Sequence, residues 1–335
     1  MRPRATPSPR LLRAIASLQT TVQRDEGGRG IGTLCRPGQL LAAALHLLRA
    51  DRGVHVLTGF PCLRERTPPT ETDGPAGAVA VARALCALGL PVWMPIEMHS
   101  EVLLRRCVGA ACDGAEAPEV VAFPASDHWG AHEDARLASL REAACTAVAI
   151  ERAGPSSDGV CWTMRCLPMG GHLMAAQLNS LLAAGSGLRT IGVGDGGNEL
   201  GMGSLHADVC RAIPHGATIA CVVPSDAPLV ASVSNWGGYA LCCAIALLAF
   251  NARLPLAGAA VGAAPSAEEY LDRLVPEARR AEATIRAANE AGAVDGTTGE
   301  GDGSVDGLPL AKQLAVLAEL RQITLAAMAD VSTDV

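Results

Sequence analysis

Apolar and polar residues follow one another along this chain in blocks that switch between two periods. Compact apolar runs at 54–58, 91–96, 120–123, 147–150, 188–193 and 218–223 are short and bounded by Gly, Pro or charged residues, which predicts buried strands. Between them, apolar residues three and four apart predict helices at 37–52, 76–88, 100–108, 172–184 and 199–213. Residues 239–250 are apolar on every side but too short to span a bilayer, so they read as a helix buried in the core. A charged helix over 265–291 and a last helix after Pro309 complete the pattern. Strands alternating with helices imply an α/β fold: a layered, mainly parallel, Rossmann-like sheet with helices on both faces, in one domain over 26–332.

Polar residues gather where the strands are predicted to end. The run 188–193 opens into Gly194-Asp-Gly-Gly-Asn-Glu199, and Gly192, Gly194 and Gly197 match G-x-G-x-x-G. A dinucleotide loop fits poorly. A pyrophosphate needs bare backbone N–H groups, whereas Asp195, Asn198 and Glu199 put acceptors and negative charge in that space. A glycine loop lined with carboxylates suits an ammonium group, a divalent cation or a proton transfer; the plain alternative is a tight, Asp-capped turn. After strand 54–58 comes Glu71-Thr-Asp-Gly-Pro75, where Asp73 is placed to cap the helix from 76, and Glu71 is left unexplained. Strand 147–150 ends in Glu151-Arg152. Arg152 and Arg165 carry the forked donors that suit a substrate carboxylate, although Glu151 and Arg152 equally suit a structural ion pair. Asn235 opens the buried helix, as an anion-holding group or as a cap. His128 and His132, four apart without a third ligand of clear spacing, read as a solvated loop.

Composition narrows the function classes. With 335 residues, 49% hydrophobic and 18% charged, the chain can bury a large core. A net charge of −7 argues against a nucleic-acid binder. Lys312 is the only lysine and sits in an amphipathic helix pattern, which leaves no other amine for a Schiff base. Twelve cysteines without a C-x-x-C framework read as reduced, mostly buried thiols, and Cys161 and Cys166 have no paired base in view. The first 24 residues hold Arg2, Arg4, Arg10, Arg13 and Arg24 and no acid, which sets residues 1–25 apart as an organellar transit peptide or a frayed basic N-terminus with one helix. No apolar stretch reaches the roughly 20 residues of a membrane span.

Taken in order, Thr58-Gly-Phe-Pro61, Glu71-Thr-Asp-Gly-Pro75, Glu151-Arg-Ala-Gly154 with Asp158-Gly159, the loop from Gly192 to Gly203, Ser234-Asn-Trp-Gly-Gly-Tyr-Ala-Leu241 and Val305-Asp-Gly-Leu-Pro309 carry a resemblance. They resemble the C-terminal catalytic domain of the D-glutamate cyclase family over about residues 29–320. The resemblance implies a lyase that dehydrates D-glutamate, its small-molecule partner, to 5-oxo-D-proline without ATP. It also implies the mitochondrial matrix, with the cytoplasm as alternative. Membership of the motifs adds Asp158, Gly194, Gly196, Asn198 and Asp306 to the expected substrate contacts. The sequence departs from the family at Val160-Cys-Trp-Thr-Met-Arg165, where paired tyrosines and an Asn are more usual, which bears on contacts near Asp158.

Ring closure joins the substrate's own amine to its own γ-carboxyl carbon, so the nucleophile arrives at high effective molarity. The demand falls on proton transfer. Asp195 or Glu199 is the expected base and Glu71 or Asp73 the expected acid, with Glu151 in the same acidic set. Arg152 is expected to hold a carboxylate, and Asn235 with nearby N–H groups the oxyanion. The same carboxylates suit Mg²⁺ or Mn²⁺. The rival readings are an NAD(P)-binding oxidoreductase and a non-catalytic amino-acid-binding module.

Overall fold

The computed structural model describes residues 7–112, 114, 117–258 and 265–331. The apolar runs become strands β1 (Gly53–Gly59), β2 (Val92–Glu97), β3 (Glu119–Phe123), β4 (Ala144–Arg152), β5 (Cys161–Trp162), β6 (Pro168–Met169), β7 (Arg189–Gly194) and β8 (Ala227–Val230). All but β5 and β6 form one parallel sheet, in the order β3-β2-β1-β4-β7-β8. The chain works outward from β1 to β3, returns to lay β4 on the other side of β1, and continues outward through β7 and β8. That reversal makes the carboxyl ends of β1 and β4 the switch point at which open α/β sheets bind ligands. Strands β5 and β6 pair antiparallel as a separate small hairpin.

Helices α1 (Pro9–Val22), α2 (Gln39–Leu48), α3 (Pro75–Ala87), α4 (Glu101–Ala111), α5 (Ala131–Ala143), α6 (His206–Ala212), α7 (Gly216–Ile219), α8 (Ser234–Asn251), α9 (Ala267–Leu274), α10 (Ala278–Glu290) and α11 (Leu310–Val331) cover both faces of the sheet. The alternation of side chains along each strand explains this division. Val54, Val56, Val148 and Ile150 face a large core built with α1–α4 and α8–α11. Leu57, Ala147 and Ala149 face a smaller one with Phe123, Leu178 and Leu137 of α5. Helix α8 is buried almost throughout, as its all-round apolar pattern predicts. It crosses α3 at two glycines: a Cβ on Gly238 would lie 2.7 Å from the Gly77 Cα, so no larger residue fits between the two backbones.

Leu11, Ile15, Leu18 and Val22 line one face of α1 and are buried, and α1 packs on α8 and α11. Each such side chain contributes roughly 1.5–3 kcal/mol when fully buried. Arg10 and Arg13 project from the exposed face, while Arg2 and Arg4 lie outside the described residues. Among the described residues no helix is long and apolar enough to cross a membrane.

Several elements differ from expectation, each for an identifiable reason. Run 218–223 is not a strand: α7 takes its start, and Cys221 and Val222 then donate their N–H groups to Gly197 and Pro155, outside the sheet. The run is apolar because it roofs a satellite core with Ile31, Val209 and Ile213. The charged stretch 265–291 is two helices, α9 and α10, broken at Val275-Pro276, because proline has no N–H and restricts the residue before it. Residues 172–184 hold only a 3₁₀ segment, Ala176–Leu181, and 199–213 a 3₁₀ turn followed by α6. Helix α5 was unforeseen because Leu137 is its one buried residue, so it carries no apolar stripe to read.

Candidate active site

A cavity of about 140 Å³ opens at the switch point. Glu151 reaches it from the end of β4, Asp195 from just beyond β7, and Glu71 from the loop after β1. Two late additions close it: Asp306 from the turn before α11, and Arg29 from the segment between α1 and α2. The β5–β6 turn presents Met164, the exposed Arg165 and Leu167, and Thr297 faces them from the glycine loop, its carbonyl 3.5 Å from the Arg165 guanidinium.

Arg29 is the centre of the charge pattern. Its guanidinium pairs with Asp195 through one terminal nitrogen and with Asp306 at 2.7 Å through the other. Burial alone would lower its pKa, but Asp195 and Asp306 outweigh burial and raise it, so it stays charged. Around it stand Glu71, Asp73, Glu151, Asp195 and Asp306. Burial, and then mutual repulsion, push the Glu71, Asp73 and Glu151 carboxyls well above the ordinary range. Asp195 is raised as well, by burial against the opposing pull of Arg29. One internal cation among five acids leaves a site that takes up protons or further cations.

The backbone is strained where the acids enter. Glu151 and Asp306 have φ of 46° and 55°, in the left-handed region where residues with a Cβ cost of order 1–3 kcal/mol and which clusters at functional sites. The Ser234 hydroxyl at the start of α8 donates to Glu151 Oε2 at 2.6 Å, fixing that side chain. Among the described residues, Asp195 Oδ2 and Asp306 Oδ2 are buried with no hydrogen-bond partner, as is Thr58 Oγ1 at the end of β1. The Cys62 thiol meets Glu71, and burial followed by that carboxylate raises its pKa far out of the nucleophilic range. Burial likewise pushes Cys161 up to about 12.

The glycine loop is occupied by its own chain. Glu199 folds back so that Oε1 accepts from the backbone N–H of Asp195 at 2.8 Å and of Gly196 at 2.6 Å, and Oε2 from Gly197 at 2.7 Å. A carboxylate thus fills the anion-holding concavity that a pyrophosphate would need. Gly194 has no side chain because a Cβ there would overlap the Glu199 carboxylate. Gly194, Gly196 and Glu199 therefore shape the loop, and Asp195 alone of its acids lines the cavity.

Other expected site residues are engaged elsewhere. Asp73 does not cap α3: its Oδ2 accepts from Ser234 N and its Oδ1 from Asn235 N, both at 2.8 Å, which caps α8. Asn235 returns the bond, its Oδ1 accepting from Gly77 N in the first turn of α3 at 2.6 Å, so it fastens two helices and does not face the cavity. Arg152 is fully buried and gives its donors to Glu97, Asn179, the Thr58 carbonyl and the Ala175 carbonyl. Burial would raise Glu97, yet Arg152 outweighs it and holds that carboxyl low. The Arg152 partner is therefore Glu97 and not Glu151, and no donor of Arg152 is left for a substrate. Asp158 is exposed and accepts from Ser156, Val160 and Trp162 within its own turn. Asn198 does line the cavity, anchored by its Nδ2 donating to the Trp162 carbonyl at 2.8 Å. His128 is exposed and 3₁₀-bound, and His132 starts α5; among the described residues the one group disposed to hold a metal is Asp73, Glu151 and Asp195.

The sequence pattern does not single out Arg29. The signal was there, in an arginine set between Gly27-Gly28 and Gly30-Ile-Gly32, but nothing in its periodicity ties it to a strand end.

A parallel sheet of Rossmann strand order, with an acid cluster where a nucleotide loop would bind phosphate, defines an α/β protein with a small charged cavity at its switch point. The chain belongs to the D-glutamate cyclase-like, C-terminal family, whose model matches residues 18–321 and so includes every cavity residue from Arg29 to Asp306. It is 39% identical over 243 residues to the human (Homo sapiens) protein named D-glutamate cyclase, mitochondrial, a match covering 70% of this chain and 39% of that protein. The match thus spans well under half the length of this relative.

Proposed function

We propose that this chain is an ATP-independent lyase that cyclises D-glutamate to 5-oxo-D-proline and water, acting in the mitochondrion, the location in the name of its human relative, and there in the matrix. The cytoplasm is the alternative location. The observation that carries the reading is the cavity in which Glu71, Glu151, Asp195 and Asp306 surround Arg29 opposite the exposed Arg165. Its volume of about 140 Å³ suits an amino acid and falls below the roughly 300–1,000 Å³ of drug-sized pockets. That size and the Glu199-filled loop speak against NAD(P).

Within this reading Arg165 and Asn198 receive the α-carboxylate at the open side, and the acids receive the ammonium group. Asp195 Oδ2, free of partners, takes protons from the ammonium. Glu71, whose carboxyl burial and then Asp306 and Asp73 push well above the ordinary range, gives a proton to the departing oxygen. The ammonium sheds two protons in becoming the lactam N–H, and the γ-carboxylate oxygen takes two in leaving as water. Arg29 keeps Asp195 and Asp306 in place and stabilises negative charge on the γ-carbonyl oxygen.

Asp73, Glu151 and Asp195 each bring an oxygen within 4.8 Å of one another, a hard donor set that fits Mg²⁺ or Mn²⁺, and the unpartnered Asp195 Oδ2 adds to the fit. When bound, such an ion supplies Lewis-acid polarisation of a carbonyl. Activity lost on dialysis against EDTA and restored by one of the two ions supports this part; indifference to EDTA ends it.

A proton NMR time course with D-glutamate, and separately with L-glutamate, tests the reading. Appearance of 5-oxoproline from the D form is the expected result. Saturable binding of glutamate without turnover, by folded protein with and without the metals, would leave the amino-acid-binding module instead. Asp195→Asn at the wild-type rate would remove Asp195 from the scheme.

A further inference from the structure

Both ends of the Arg29 guanidinium are committed to the site's own acids, one to Asp195 and the other to Asp306. The oxygens left over, Asp195 Oδ2 and Asp306 Oδ2, have no hydrogen-bond partner among the described residues and belong to side chains only 4% and 5% exposed. A buried acceptor without a donor carries a full desolvation penalty of about 1–3 kcal/mol. With both acids ionised beside Arg29, a substrate γ-group set against this wall must therefore donate hydrogen bonds and bring no negative charge. An ionised γ-carboxylate does neither, since it offers acceptors only and adds charge to a cavity already lined by Glu71 and Glu151. A carboxamide does both. Its NH₂ places two N–H donors on one nitrogen, and the two waiting oxygens flank one guanidinium.

Resting on the lyase reading above, we propose that the same cavity closes the ring of α-amino acids carrying a neutral γ-carboxamide, D-glutamine being the simplest, with release of ammonia. The α-amine nitrogen bonds to the γ-carbonyl carbon, and the bond from that carbon to the amide nitrogen breaks. The ammonium sheds two protons in becoming the lactam N–H, and the departing NH₂ takes two in leaving as ammonium, so no co-reactant is needed. Asp195 and Asp306, which hold the amide N–H groups before reaction, are placed to pass the protons across. The γ-carboxamide also escapes a requirement that D-glutamate meets: it enters uncharged without first taking up a proton.

The experiment is a proton and ¹⁵N NMR time course of wild-type protein with D-glutamine labelled at the amide nitrogen, beside D-glutamate and heat-inactivated controls. The expected result is 5-oxo-D-proline with all label in ammonium, at a kcat/KM equal to or above that for D-glutamate. The ratio of the two constants should rise about tenfold per unit between pH 6 and 8, because the protonated share of a γ-carboxyl with pKa near 4 falls by that factor. D-glutamate turned over while D-glutamine stays at the heat-inactivated rate would overturn the carboxamide inference and leave the lyase standing. Neither substrate turned over would overturn the lyase reading itself. A flat ratio across that pH range would remove the charge argument on which the inference stands.

Discussion

Replacing Arg29 by methionine asks whether one cation holds the acidic site together. The Arg29 side chain is 22% exposed and those of Asp195 and Asp306 are 4% and 5% exposed, so both pairs lie largely out of water. Methionine keeps the stem and leaves both acids unpaired. Removing one partner of a buried pair costs about 3–5 kcal/mol, and with two acids orphaned at once R29M belongs in the upper half of that range at pH 8. Asp195, raised by burial even against the pull of Arg29, titrates higher still in R29M than its unfolded value near 4. The stability its neutral form contributes is fully present below about pH 4 and is lost as pH rises through the folded value, so the deficit of R29M is smallest near pH 5 and largest near pH 8. Urea unfolding followed by circular dichroism at pH 5, 6.5 and 8 measures it. A second substitution sharpens the test. Asp306→Asn should destabilise the wild type by taking a partner from Arg29, and should recover about 1–2 kcal/mol in R29M by removing one of two repelling charges. An R29M protein within 1 kcal/mol of wild type at pH 8, or a D306N effect of the same sign in both backgrounds, refutes the account.

Glu199→Gln replaces a carboxylate that accepts three backbone bonds with an amide that accepts at one end only, and should cost about 2–4 kcal/mol in urea unfolding without creating NAD(P) affinity. Burial lowers His55 to about 4; its unfolded value near 6.5 is higher, so its contribution is present above pH 6.5 and fades as pH falls toward 4. His55→Asn should flatten the stability profile over that window by up to about 3 kcal/mol, and an unchanged slope would exclude the imidazole as its cause. Leu18→Ala on α1 should cost about 2–5 kcal/mol because Leu18 is fully buried, whereas a change under 0.5 kcal/mol would mean that α1 is not docked on the core in solution.

The sheet was legible because its strands are buried on both faces and so appear as unbroken apolar runs with Gly or charge at their ends. Run 218–223 misled for the same reason: burial writes the same pattern whether a segment pairs in a sheet or roofs a loop core. At the site, Glu151 and Asp195 are legible as polar residues at strand ends, since the switch point collects what strands deliver, whereas Asp306, in the turn before α11, comes only with the family resemblance. The partners of these residues are not. Arg152 was assigned outward because a guanidinium at a strand end fits a ligand as well as it fits Glu97, and only the parallel register of β1, β2 and β4 brings Glu97 beside it. Asp73 preceded a helix and was read as its cap, but the close crossing of α3 and α8 turned it to the other helix. Arg29 needed the topology, because it comes from a segment outside any strand.

The exchange of caps between Asp73 and Asn235 ties folding to the chemistry of the cavity. Asp73 holds the first turn of α8, whose Ser234 holds Glu151, while Asn235 holds the first turn of α3. Two helices and a cluster acid are thus latched by one reciprocal pair, and neither half of the latch can be altered alone without loosening the wall of the cavity. For an engineer who wants a different reaction in this cavity, the free variables lie at the entrance, on the β5–β6 turn and around Thr297. The latch behind it behaves as a single indivisible part.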